Sequence, residues 1–131
     1  MGLFGKKGPQ WPTRPRQPGF WQRVWIFSIN NAGFDRVEAH FNSLGATVMQ
    51  LGYRMRFNPS AKMVSFGLKN NVAEVVRIDD GSQEMCKWQF RFTDITGVNG
   101  KPLPESELNV LATFIEDAFL KLDPATKIEL F

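Results

Sequence analysis

Prolines at positions 9, 12, 15 and 18 of "GPQWPTRPRQPGFW" recur at every third residue. Proline fixes φ and lacks a backbone N–H, so this stretch can form neither a helix nor a central strand. Polyproline II has three residues per turn, which aligns the four prolines along one edge. Gln10, Thr13 and Arg16 form a second edge, and Trp11, Arg14 and Gln17 a third. The chain therefore divides into a proline-rich basic extended arm, 1–19, and a folded domain, 20–131. Ten arm residues in this conformation would span roughly 30 Å.

Charge follows the same division. Lys6, Lys7, Arg14, Arg16 and Arg23 lie in the first 23 residues with no acid among them. That leaves 11 of the 16 basic side chains against all 13 acidic ones, a balance of −2 for the remainder. This is the layout of a tail that seeks an anionic surface. Lys6-x-x-Pro9-x-x-Pro12 and Pro9-x-x-Pro12-x-Arg14 also match the chemistry of grooves that read polyproline helices. Trp11 argues against a mere spacer, because an indole is costly to leave in water. The expected partner-binding residues of the arm are Lys6, Lys7, Trp11, Arg14 and Arg16.

The domain reads as α+β. "FWQRVWIFSIN", 20–30, is rich in aromatic and branched residues and favours a strand, with an interfacial helix as the rival reading. Phe34, Val37, Phe41 and Leu44 recur at helical spacing, with Gly45 as the stop. "TVMQLGYRMRF" alternates, with Met49, Leu51, Tyr53, Met55 and Phe57 on one face. Two further strands follow over "KMVSFGLK" and "VAEVVRI", then a "DDGS" turn. "CKWQFRFT" alternates most clearly, with Cys86, Trp88, Phe90 and Phe92 directed inward. Pro104 opens a helix running to Leu122 with Leu108, Leu111, Ile115 and Phe119 on its apolar stripe. "TKIELF" adds a short last strand. The expected order is β-α-β-β-β-β-α-(β), a single domain with an antiparallel meander and helices on one sheet face.

The inventory of reactive groups is sparse. His40 is the one histidine and Cys86 the one cysteine, too few for a metal site and without the orienting partners that nucleophilic catalysis needs. The glycines form neither a phosphate-cradling loop nor a dinucleotide fingerprint. The expectation is a protein that is not an enzyme and uses no cofactor or metal. Nor is there a classical secretion signal, since prolines follow Lys6 and Lys7 where an apolar segment belongs. Lys6 also occupies the position where a myristoylation signal wants Ser or Thr. A cytoplasmic location, or one within an assembly, is expected.

Outward strand positions collect Arg54, Arg56, Lys69, Arg77, Lys87 and Arg91 into a basic sheet face, while Glu105, Glu107, Glu116 and Asp117 make the last helix acidic. Two readings follow. In the first, the protein is a non-catalytic binding or assembly component, of a virion or multi-subunit machine, whose arm docks on a larger protein assembly. In the second, the basic face and arm bind single-stranded nucleic acid. The second lacks outward aromatic residues on which bases could stack. Peripheral membrane contact through "MGLFGKK" and the Trp-rich segment ranks third.

Overall fold

The computed structural model describes residues 13–79 and 84–131. Its elements are β1 (Trp25–Asn30), α1 (Phe34–Ser43), α2 (Gly45–Gln50), β2 (Arg54–Asn58), β3 (Met63–Gly67), β4 (Asn71–Arg77), β5 (Met85–Phe92), α3 (Glu105–Leu122) and β6 (Lys127–Leu130). All six strands join one antiparallel sheet in the order β2-β3-β4-β5-β1-β6. The meander of β2 to β5 is as expected, and β1 and β6 extend it beyond β5. Residues 20–30 resolve into a short 3₁₀ turn, Phe20–Gln22, followed by β1, so the strand reading of this stretch holds.

Alternation decides which side chains are buried. Trp25 lies opposite Phe90 and Phe27 opposite Trp88 across β1 and β5, and all four rings are fully buried. Phe119 of α3 stacks on Phe27 at 4.4 Å and meets Phe41 of α1 at 5.7 Å, edge to face. Both helices therefore bury their apolar stripes on one sheet face, joined by an aromatic seam. Among the described residues, no helix packs on the other face.

One expectation fails locally. The strand read from Thr47 begins only at Arg54, because Gly45–Gln50 forms the short helix α2 and leaves Met49 exposed. The first helix does end just before Gly45, as expected, but Gly45 at once opens α2. The stop of α2 is Gly52, whose φ of 97° is a left-handed conformation that side-chain-bearing residues rarely adopt. From Tyr53 onward the expected parity holds, with Tyr53 buried and Arg54 and Arg56 exposed. The turn expected at "DDGS" falls mostly on residues outside those described.

The facing of β5 yields a direct test. Phe90→Ala should destabilise the fold by about 3–5 kcal/mol, the scale for a large buried aromatic. Arg91→Ala, at an exposed position ion-paired to Glu74, should cost less than about 1 kcal/mol. Denaturant titration of both variants measures the contrast.

Candidate functional site

The most developed polar constellation lies where the arm meets α3. Asn109, Thr113, Glu116 and Asp117 are spaced i, i+4, i+7 and i+8, so they share one stripe of that helix. Residues 13–17 cross this stripe without regular secondary structure, and Gly19, at φ 75°, turns the chain into Phe20–Gln22. Arg16 grips the Glu116 carboxylate with both terminal nitrogens, Nη1 to Oε2 at 3.0 Å and Nη2 to Oε1 at 2.7 Å. Its Nε donates to Asn109 Oδ1 at 2.8 Å. Arg14 donates to Glu116 Oε1 at 2.8 Å and pairs with Asp117. Asn109 answers by donating its Nδ2 to the Arg14 carbonyl at 2.7 Å.

Glu116 is only 6% exposed, a position that an unpaired carboxylate could not occupy without large cost. Its fourth donor is the indole N–H of Trp25, 2.9 Å from Oε2. The socket thus ties the arm, β1 and α3 to one carboxylate, with two arginines facing two acids. The hydrogen bond from Arg14 to Asp117 raises the guanidinium pKa, and desolvation only partly opposes it. The Arg16 guanidinium also lies over the rings of Phe20 and Trp25, at 5.6 and 5.9 Å from their centroids.

The other expected site residues fall into three groups. Lys6, Lys7 and Trp11 lie outside the described residues. Arg54, Arg56, Lys87 and Arg91 do share the helix-free face, since Arg56 pairs with Ser65, Ser65 with Glu74, and Glu74 with Arg91. Lys69 is exposed in the β3–β4 connection, beyond the strand ends. Arg77 does not belong to that face. It lies opposite Trp88, on the side of the helices, where its guanidinium is held by Asp79 and reaches Cys86 Sγ at 3.3 Å. The inward facing of Ala73 and Val75, both fully buried, carries Arg77 inward two residues later.

The reactive residues are occupied structurally. His40 shares a 2.7 Å hydrogen bond with the Ala118 carbonyl, and Cys86 is buried. Burial raises the Tyr53 phenol above its ordinary pKa, with the Glu107 charge adding to the shift. Among the described residues, no three His, Cys, Asp or Glu side chains gather as a metal would require. No described helix is long and apolar enough to cross a membrane. A cleft of about 260 Å³ at the β1–β5 corner is bordered by Arg23 and Arg91. Arg23 is spent there on the Phe131 carbonyl, and Arg91 on Glu74. No protein-family model, curated protein or solved structure matches this chain.

Two stability experiments separate these roles. Deleting residues 1–12 should leave thermal stability unchanged, whereas deleting 1–17 should cost about 2–3 kcal/mol. The latter is below the usual cost of breaking a buried pair because water then reaches Glu116. Arg77→Ala should cost about 2–3 kcal/mol by leaving Asp79, whose side chain is 4% exposed, without its guanidinium. Equal melting of the two truncations would show that the socket does not stabilise the fold.

Proposed function

We propose that this chain is a non-catalytic binding or assembly protein whose proline-rich basic arm docks on a larger protein complex. The observation that carries the reading is the socket. A solvated spacer needs no fixed root, yet here the arm's base is gripped through two arginines by a buried carboxylate that the Trp25 indole of β1 also holds. A fixed root at residues 13–17 reduces the conformational freedom lost when the arm docks. Trp11 and the proline edge are then the recognition elements, with Lys6 and Lys7 as charge contacts. Such a component would work in the cytoplasm or inside an assembly.

The co-facial Arg54, Arg56, Lys87 and Arg91 favour single-stranded nucleic acid as the second reading. Against it, Trp25, Trp88 and Phe90 face the helices and are fully buried, leaving them unable to stack on bases.

The deletion of residues 1–12 discriminates the readings because it spares the socket. A partner identified by capture with the full chain should bind this truncation and Trp11→Ala at least tenfold more weakly, as calorimetry would show. Undiminished binding by the truncation refutes arm docking. Nucleic-acid binding predicts instead tight oligonucleotide binding by the truncation. Its log–log salt slope would be about 0.7 per phosphate contact. Replacing Arg54 and Arg56 together by alanine would then reduce it.

A further inference from the structure

Among the described residues, the sheet ends in two edge strands, β2 and β6. We infer that β6 is a self-pairing edge, through which two copies of this chain join antiparallel about a two-fold axis at Ile128. The inference is independent of what the arm binds.

Backbone phase defines what the edge offers. Val24 and Phe131 exchange both backbone hydrogen bonds, at 3.2 and 2.8 Å. In an antiparallel ladder such pairs alternate with non-bonded ones. Given the register of Ile26 opposite Glu129 and Ser28 opposite Lys127, the polar groups of 127 and 129 turn toward β1. Those of Ile128 and Leu130 turn away from it, toward the open edge. The Leu130 carbonyl is touched by Arg23 Nη2 at 3.4 Å, while the Thr126 N–H is spent on the Asp123 carbonyl at 3.0 Å. These two are the groups that antiparallel pairing centred on Ile128 would set against each other, so neither needs the other. The pairing retains Ile128 N–H to the second copy's Ile128 carbonyl, and Leu130 N–H to its Thr126 carbonyl, each made twice.

Side-chain charge selects the same register. Lys127 and Glu129 project from the helix-free face, with side chains 71% and 41% exposed. Centring on Ile128 places each Lys127 opposite the other copy's Glu129. A slip one way opposes lysine to lysine at position 127, and a slip the other way opposes glutamate to glutamate at 129. The β2 edge behaves oppositely, because its centred antiparallel register sets Arg56 against Arg56. Leu130 and Phe131, both exposed, supply apolar surface beside the pairing edge.

Sedimentation equilibrium of the full chain at low salt tests this directly. The wild type should dimerise reversibly. Lys127→Glu and Glu129→Lys should each weaken self-association about tenfold or more, since each opposes like charges. Mixing the two variants should restore a heterodimer, because one strand then carries two glutamates and the other two lysines. An effect on folding alone cannot produce that recovery, and circular-dichroism melts confirm that each variant is folded. A monomer at every attainable concentration overturns the proposal, as do single variants that self-associate like the wild type or a mixture no tighter than its parts. Dimerisation seen only after removal of residues 1–12 also overturns it, assigning the edge to the arm.

Discussion

Glu116 is the residue through which the separate parts of this molecule become dependent on each other. Its carboxylate is buried between α3, the first long strand and the root of the arm, and accepts hydrogen bonds from Trp25, Arg14 and Arg16. Trp25 is fully buried, so its indole N–H needs an acceptor, and Glu116 supplies one. The carboxylate in turn needs positive charge, and the arginines bring it from a segment that proline excludes from helices and central strands. Arg14 and Arg16 therefore contribute charge compensation to the domain.

The same layering organises the two sheet faces. Aromatic residues on the inner face meet Phe41 and Phe119 of the helices, leaving the outer face to arginine, lysine and half-buried Ile26, Met63 and Val76. A six-stranded sheet covered on one side keeps a broad polar face and two strand edges. The charged outer positions are consequently separated from the aromatic core on the other side of the sheet.

Legibility from sequence followed the strength of the local pattern. "CKWQFRFT" has apolar residues on one parity only, so the facing of β5 was readable, as was α3 with its long stripe. "VAEVVRI" places apolar residues on both parities, and only pairing with β5 settles that Arg77 faces inward. Thr47–Phe57 alternates by coincidence across a helix and a strand, and the left-handed Gly52 that divides them leaves no mark in an alternation pattern. Glu116 read only as one of the acids of the last helix because helical periodicity cannot register what a distant segment lays across a polar stripe. The available signal was the complement of a basic arm with no acid of its own and a helix carrying Glu116 and Asp117 together.

That complement changes how the arm's charge is understood. Of the five basic residues in the first 23, Arg14 and Arg16 face the molecule's own Glu116 and Asp117, and Arg23 bonds carbonyls at the end of β6. Lys6 and Lys7 lie outside the described residues. The anionic surface that the arm's arginines seek is, in the first instance, its own last helix.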